Sequence, residues 1–300
     1  MLSSEVMKNR EDQHQREVER MARGRSELLR EGLIECFDLP YLNDDDPRHT
    51  LDLIRPEISE GKLPTIIEIH GGGYIACEKN INRLHARAYA QQGFAVVNGD
   101  YTLHPEGDLV TELRELAAIV NYVADMAEEN GFDLTRVYMS GDSAGGHLVL
   151  LYAMLQGSPA MCERLGVRPG RIEIQAAAAT CPAFRLSGRN GAASAISFLV
   201  RLMYPEGISK EYLEQFNVLG LIGESAYPPL IVITTPDDDL LYKEDLELEK
   251  ALRESGREYD FRVYESRENQ LGHVFNVLYP EFAESREANR DIASFFLRHA

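Results

Sequence analysis

The sequence lacks the features that mark membrane-spanning and nucleic-acid-binding proteins. No stretch approaches the roughly 20 consecutive apolar residues that a membrane-spanning helix requires. Basic side chains are in deficit, since 31 lysines and arginines face 49 acidic residues and give a formal net charge of −18 at pH 7. Because this excess of negative charge repels phosphate groups, neither nucleic acid nor an anionic membrane surface is an expected partner. The net charge does not exclude a small-molecule ligand.

Cysteine is scarce, and its spacing does not suggest a metal cluster. The four cysteines, Cys36, Cys77, Cys162 and Cys181, are scattered without a C-x-x-C pair. The simplest interpretation is a set of reduced thiols in a cytoplasmic protein without a metal site. The first thirty residues are mostly charged and polar and lack the apolar segment of a signal peptide, which agrees with a cytoplasmic location.

The apolar residues recur in a pattern that alternates strands with helices. Hydrophobic residues make up 44% of the chain, which is enough to bury a sizeable core. Short apolar runs typical of buried parallel strands lie at residues 63–69, 94–98, 137–139, 174–180 and 230–233, and residues 259–265 are strand-like. Segments with helical spacing lie at residues 109–129, 241–256 and 281–298. Since parallel strands need helix-length connections, the sequence predicts an α/β fold, with a mostly parallel central sheet and helices on both faces.

Two segments interrupt this alternation. Residues 5–31 are very polar with a weak apolar stripe, which predicts a solvated helix. Residues 185–216 contain an apolar stretch and are interpreted as an insertion after a strand. This insertion is either an extra packed helix or a lid, because loops at the carboxyl ends of strands often cover sites. We therefore expect one domain over residues 1–300, with small helical cap elements from residues 1–35 and 185–216.

A serine lies in a G-x-S-x-G pattern between a predicted strand and a predicted helix. The segment is Gly141-Asp142-Ser143-Ala144-Gly145. The pattern is that of a nucleophile elbow, in which glycines on either side of the serine allow a sharp turn. Such a turn lifts the serine hydroxyl clear of the sheet at the positive end of a helix, where developing negative charge is stabilised. The alternative is a plain glycine-rich turn, which the flanking strand and helix disfavour.

A second glycine-rich loop, His70-Gly71-Gly72-Gly73-Tyr74, directly follows another predicted strand. Consecutive glycines permit positive φ angles and leave backbone N–H groups unshielded, so the loop can direct donors into a cavity. A phosphate-binding loop would continue as G-x-x-x-x-G-K-[ST], and that continuation is missing. The loop therefore fits an oxyanion hole, whose donors stabilise the negative charge that develops in acyl transfer.

The two loops together resemble the hormone-sensitive-lipase-like branch of the α/β-hydrolases, mostly bacterial carboxylesterases. H-G-G-G-Y upstream and G-D-S-A-G-G downstream carry the resemblance, which extends from about residue 63 onward. Thr102 and His104 depart from the family's Y-R-L-A-P-E motif, and His147 stands where the family often has asparagine. The resemblance implies the α/β-hydrolase fold, and neither departure touches the predicted catalytic groups.

Chain order and the resemblance indicate a base for Ser143. In this fold the nucleophile is followed along the chain by the acid and then by the histidine. His273 is the predicted base, because it lies in a loop after a strand-like segment and matches the family's G-H-x-F motif. His299 is a poorer choice, since it is the penultimate residue and would lie on a fraying helix end.

The acid is expected from the run Asp237-Asp238-Asp239, which follows the predicted strand at residues 230–233. One of the three would face the histidine, and the others are solvated or cap the following helix. Asp239 matches the family's D-x-L motif and is the predicted acid. Asp237 is the runner-up, and Asp260 is a weaker third choice.

The resemblance also implies where the oxyanion and the substrate would bind. It assigns the oxyanion hole to the N–H groups of Gly72, Gly73 and Ala144. Candidate substrate-binding residues flank these loops or lie in the insertion: Tyr74, Asp142, Phe198 and Leu202. Core packing explains the apolar candidates nearly as well, and a tie that holds the elbow is the favoured role of Asp142.

These residues predict a cytoplasmic serine carboxylesterase that acts on small short-acyl esters through an acyl-enzyme. Such chemistry requires no metal or organic cofactor. A carbohydrate deacetylase, an amidase or a lyase on the same scaffold stays open, because the acyl pocket rather than the triad decides specificity. A non-catalytic ligand-binding module is less favoured, since nucleophile and base are both present. The resemblance also allows a homodimer.

Overall fold

The structure is a computed structural model that describes residue 25, residues 27–186 and residues 195–300. Within these residues one eight-stranded sheet forms the centre of the fold. In chain order its strands are β1 (Leu33–Pro40), β2 (Thr50–Pro56), β3 (Leu63–Ile69), β4 (Ala95–Gly99), β5 (Phe132–Asp142), β6 (Ala176–Thr180), β7 (Leu230–Thr234) and β8 (Tyr259–Val263). Their order across the sheet is β1-β2-β4-β3-β5-β6-β7-β8. Strand β2 pairs antiparallel with β1 and β4, and every other pairing in this sheet is parallel.

Helices connect the strands and cover the sheet. In chain order they are α1 (Arg83–Ala90), α2 (Leu109–Asp125), α3 (Ala127–Asn130), α4 (Ser143–Gln156), α5 (Pro159–Leu165), α6 (Ala195–Met203), α7 (Lys210–Glu214), α8 (Val218–Ile222), α9 (Tyr242–Ser255), α10 (Phe275–Leu278) and α11 (Ala283–Arg298). A short 3-10 turn, Lys79–Asn82, precedes α1. None of the described helices is both long and apolar enough to cross a membrane.

Alternate side chains of the central strands enter two cores, one on each face of the sheet. Ile67 of β3 belongs to the core that contains Leu113 of α2, whereas its neighbour Ile66 belongs to the core that contains Tyr89 of α1 and Phe296 of α11. Because successive strand residues point to opposite faces, a run that is apolar at every position must be covered on both. The predicted α/β fold with helices on both faces is thereby confirmed.

The predicted strands are all present, with shifted ends. Strand β5 begins at Phe132, five positions before the predicted run, and the predicted helix at residues 109–129 divides into α2 and α3. Strands β1 and β2 were not predicted. Most of β1 is half-buried or exposed and carries polar side chains, so it does not have the continuous apolar run of a buried parallel strand.

The predicted cap elements are described in part. Of the insertion at residues 185–216, the structure describes residues 185–186 and 195–216, including α6 and α7; residues 187–194 lie outside the described residues. Of the N-terminal element, residues 1–24 and 26 lie outside them as well. Residues 33–35 belong to edge strand β1 rather than to a cap, because they pair with β2.

Candidate active site

Ser143 lies at the sharp junction between β5 and α4, with a φ of +51°. This left-handed conformation is strained for a residue with a side chain. A Cβ atom at Gly145 would lie 2.2 Å from the carbonyl oxygen of Ile69 and 2.4 Å from that of His70. A Cβ at Gly141 would lie 2.6 Å from the carbonyl oxygen of Gly145. Both glycines of the pattern are therefore required by the close approach of backbone to backbone.

Three side chains from separate loops form a hydrogen-bonded chain at this junction. The Ser143 hydroxyl oxygen lies 3.0 Å from Nε2 of His273, and Nδ1 of His273 lies 2.8 Å from Oδ2 of Asp238. The imidazole is 28% exposed and the Asp238 side chain is fully buried. The geometry allows Nδ1 to donate to the carboxylate while Nε2 faces the hydroxyl with its lone pair.

The prediction of Asp239 as the partner of His273 is wrong, because Asp238 occupies that place. Asp239 is exposed. Oδ1 of Asp238 also accepts hydrogen bonds from the backbone N–H groups of Leu240 and Leu241, at 2.9 and 3.1 Å. The turn that follows β7 therefore points Asp238 inward and leaves the motif-matched aspartate in solvent.

The two other acid candidates have structural partners. Oδ2 of Asp237 accepts a hydrogen bond of 3.1 Å from the backbone N–H of Leu271, so it ties the loop of His273 to the loop of the acid. Asp260 lies in β8 and forms an ion pair with Arg262 at 2.8 Å.

The hydrogen bonds around Asp238 also set its charge. Burial by itself would raise the pKa of this carboxyl, but the hydrogen bond and charge of His273, together with the Leu240 and Leu241 amides, hold the pKa below its usual range. Asp238 is consequently ionised at neutral pH and can stabilise an imidazolium on His273.

The glycine-rich loop runs beside Ser143. A Cβ at Gly71 would lie 3.1 Å from Cβ of Ser143, and the Gly71 N–H donates to Oδ1 of Asp142 at 3.1 Å. Gly72 and Gly73 have φ angles of +111° and +61°, and their N–H groups donate to no acceptor among the described residues. These two N–H groups are thus the ones available to a ligand, whereas that of Gly71 is already engaged. Ala144, the third predicted donor, is the second residue of α4, where backbone N–H groups lack intrahelical acceptors.

Tyr74 and Asp142, two of the predicted substrate-binding residues, are buried among protein groups. Tyr74 is 0% exposed, and its hydroxyl lies 2.6 Å from Nδ1 of His147. Asp142 is 5% exposed, and its Oδ1 accepts hydrogen bonds from the Gly71 N–H and from Nδ2 of Asn82. Both residues therefore hold the loops in place, which for Asp142 is the favoured interpretation of the sequence.

Helix α6 of the insertion covers the glycine-rich loop. Its Leu199 has Cδ1 only 3.1 Å from the position that a Cβ of Gly73 would take. Phe198 is half-buried with the Arg201 guanidinium 5.8 Å from its ring centre, and Leu202 is 7% exposed. The structure thus brings Leu199 of α6 to the predicted oxyanion loop.

A buried polar network around Glu68 supports the elbow. Glu68 of β3 accepts hydrogen bonds from Asn82 at 3.0 Å and from Nδ1 of His85 at 2.8 Å, and Nε2 of His85 lies 3.0 Å from Oδ1 of Asn289. Burial would lower the pKa of His85, but the charge and hydrogen bond of Glu68 outweigh it and raise that pKa. The same Asn82 amide also bonds Asp142, so the network ends at the residue before Ser143. The only sequence signal is one charged residue inside the apolar run of β3.

Cys181 lies close to the acid. Its sulfur is within 4.8 Å of ligand atoms of both Asp238 and His273, a grouping with the donor types of a metal site. Burial raises the pKa of this thiol well above its ordinary value. Metal binding would require this thiol to lose its proton, which burial opposes, and the prediction of no metal site stays a prediction.

The sheet order and the strand–serine–helix junction define an α/β-hydrolase. The BD-FAE family matches residues 51–251, and the chain belongs to that family, as a hormone-sensitive-lipase-like member of the α/β-hydrolases. The solved structure of esterase B from Lactobacillus rhamnosis, with a tributyrin phosphonate, is 28% identical with a TM-score of 0.87 and covers 98% of this chain and 95% of its own.

Curated relatives match over shorter segments. A probable isoprenylcysteine alpha-carbonyl methylesterase of Arabidopsis thaliana is 29% identical over 130 residues, which is 40% of this chain and 27% of that protein. Carboxylesterase NlhH of Mycobacterium tuberculosis is 34% identical over 101 residues, which is 33% of this chain and 32% of that protein. The chain therefore matches about a third or less of the length of these relatives.

Proposed function

We propose that the protein is a serine carboxylesterase that hydrolyses small short-acyl esters through an acyl-enzyme. The observation that carries this proposal is the hydrogen-bonded chain from Ser143 through His273 to Asp238. Esterase names among the similar proteins support the reaction class. The intact nucleophile and base also argue against a non-catalytic ligand-binding module.

The first half of the reaction acylates Ser143. The hydroxyl oxygen attacks the ester carbonyl carbon while Nε2 of His273 takes the hydroxyl proton. Asp238 keeps the imidazole in the tautomer that has its proton on Nδ1, and it stabilises the imidazolium without taking the proton. When the tetrahedral intermediate collapses, Nε2 gives its proton to the leaving alcohol oxygen.

The second half releases the acid. Water attacks the acyl carbon, His273 takes a proton from the water, and the same nitrogen returns it to the Ser143 oxygen. In both halves the N–H groups of Gly72 and Gly73 in the glycine-rich loop and of Ala144 at the elbow stabilise the negative carbonyl oxygen. These N–H groups are available for that contact. No step needs a group from outside the chain other than substrate and water.

The position of Leu199 supports a short acyl chain. Its Cδ1 lies against Gly73, so the aliphatic side chain limits the space next to the carbonyl carbon. One helical turn before Leu199, Ile196 packs with Ala183 and Leu241, which closes the cap against the acid loop. Esterase B, whose structure carries a tributyrin phosphonate, has short butyryl chains in its named ligand and agrees with this proposal.

The test is hydrolysis of p-nitrophenyl acetate and butyrate by the purified protein and by Ser143→Ala. We expect at least a thousandfold loss of kcat in the variant, because the covalent intermediate is no longer formed. Ser59→Ala is the matched control, since Ser59 is exposed in the loop between β2 and β3. Equal rates for the wild type and Ser143→Ala would show that the proposal is wrong.

A further inference from the structure

Tyr74 connects the glycine-rich loop to a histidine that the proposed reaction does not use. It follows Gly73 directly, has a φ of +65° and is fully buried. Its hydroxyl lies 2.6 Å from Nδ1 of His147, a fully buried residue of α4. Nε2 of the same imidazole lies 2.8 Å from the carbonyl oxygen of Phe216. A buried row of three groups thus leads from the loop through His147 to the segment between α7 and α8.

The partners of His147 determine its tautomer. A carbonyl oxygen only accepts hydrogen bonds, so Nε2 must carry the proton that reaches Phe216. Nδ1 then has a free lone pair and accepts from the Tyr74 hydroxyl. Burial lowers the pKa of His147 to about 4, and the imidazole is therefore neutral at pH 7. One neutral tautomer satisfies both contacts, so Tyr74 is held in a single orientation.

The insertion reaches Tyr74 by a second route. The carbonyl oxygen of Tyr74 accepts a hydrogen bond of 2.7 Å from the N–H of His104, and the two rings meet edge to face with centres 6.2 Å apart. Nε2 of His104 lies 3.2 Å from the hydroxyl of Tyr204, just after α6. Tyr74 is therefore linked to the insertion near Tyr204 by His104 and near Phe216 by His147.

We propose that Tyr74 is a positioning residue for the oxyanion loop and that His147 fixes it against the insertion. Gly72 and Gly73 have no side chains that hold their peptide planes, so the next residue with an anchored side chain restricts how their N–H groups point. The inference rests on the proposed function, because it assigns those N–H groups to the oxyanion. Tyr74 itself does not contact the reacting atoms.

Substitutions of His147 can separate its two contacts. In His147→Asn the side-chain oxygen can take the place of Nδ1 and accept from Tyr74, but the shorter amide does not reach Phe216. In His147→Gln the terminal amide can take the place of Nε2 and donate to the Phe216 carbonyl, while the acceptor for Tyr74 is lost. Tyr74→Phe removes the hydroxyl and leaves the ring in place.

We expect Tyr74→Phe and His147→Gln to lower kcat for p-nitrophenyl butyrate roughly ten- to hundredfold with KM little changed, because misdirected oxyanion donors weaken transition-state binding alone. His147→Asn should recover several-fold of the kcat lost in His147→Gln. Tyr152→Phe is the matched control, because Tyr152 lies near the end of α4 that is far from Ser143. Its buried hydroxyl accepts a hydrogen bond from the Gly170 N–H, so the substitution should lower Tm without changing kcat.

The proposal is overturned if Tyr74→Phe and His147→Gln lower Tm but keep wild-type kcat, or if His147→Asn is no better than His147→Gln. Binding of a phenylboronic acid, which forms a tetrahedral adduct with an active serine, gives a second measurement that does not depend on turnover. Its affinity should fall in parallel with kcat. If the wild type showed no turnover that depends on Ser143, the proposed function itself would be rejected. If the wild type were active and the variants had the same kcat, only the role of Tyr74 and His147 would be rejected.

Discussion

Oδ2 of Asp238 lies 2.8 Å from Nδ1 of His273, and this contact joins the loop after β7 to the loop after β8. Asp238 is the middle residue of three consecutive aspartates, and only its side chain turns toward the imidazole. A local motif favours its neighbour Asp239, which is exposed. The contact therefore identifies which carboxylate would orient the base.

The first prediction separates the two neighbouring aspartates. Asp238→Asn should lower kcat by about 10³- to 10⁴-fold, because an amide no longer holds His273 in the tautomer with its proton on Nδ1. Asp239→Asn removes the same charge in solvent and should change kcat less than twofold. Steady-state kinetics with p-nitrophenyl butyrate measure both variants. A severe loss in Asp239→Asn with an active Asp238→Asn would reverse the assignment.

The second prediction concerns acyl-chain length. Leu199→Ala removes most of the side chain that lies over Gly73. The vacated space would admit one or two more methylene groups of the acyl chain, so kcat/KM for the octanoate ester should rise about tenfold relative to the acetate ester. Leu199→Phe should shift the preference toward acetate. The measurement is kcat/KM over a series of p-nitrophenyl esters from two to ten carbons. An unchanged profile in both variants would show that α6 does not limit the acyl chain.

The third prediction concerns stability against pH. The pKa of His147 is about 4 in the folded protein, whereas an unfolded histidine has its ordinary value of about 6.5. Between these values the unfolded chain binds a proton that the folded protein does not, so the free energy of unfolding falls as the pH drops from about 6.5 to about 4. This group should contribute a loss of the order of 3 kcal/mol over that window.

Urea denaturation of the wild type and His147→Asn at several pH values measures that contribution. Asparagine does not titrate, so the variant should show a smaller decline of stability across the window, whatever its stability at pH 7. Identical slopes for the two proteins would mean that His147 is not held neutral in the folded state.

The fourth prediction concerns the elbow glycines. Gly145→Ala would place a Cβ 2.2 Å from the carbonyl oxygen of Ile69, a backbone atom of β3 that has little freedom to move. We expect a loss of about 3 kcal/mol in the free energy of unfolding, measured by chemical denaturation. Gly220→Ala in α8 is the control, since no atom lies within 4 Å of its Cβ position. Its substitution should be neutral or stabilising by up to about 1 kcal/mol.

The fold was largely predictable, and the exceptions have a common cause. Strand β3 could be predicted to within a residue because it is buried on both faces and must be apolar at every position. Strand β1 pairs on one side only and is largely exposed or half-buried, so its residues were free to be polar. A cytoplasmic location and a homodimer stay predictions of the sequence.

Part of the site was encoded locally. The glycines around Ser143, and Gly71 and Gly72 after β3, are needed because a Cβ atom there would collide with backbone atoms, and such a requirement appears in the local sequence as glycine. His273 follows from chain order within the fold. These features identify the α/β-hydrolase class and predict its nucleophile from the sequence alone.

The remaining contacts join residues far apart in the chain, and only the tertiary structure decided them. Neighbouring aspartates point in different directions, so a turn of the backbone after β7 selects Asp238 over Asp239. Tyr74 meets His147 across 73 positions of sequence, and Leu199 reaches Gly73 from the insertion. Local sequence constrains local sterics, whereas the direction of a side chain toward a distant partner depends on how the elements pack.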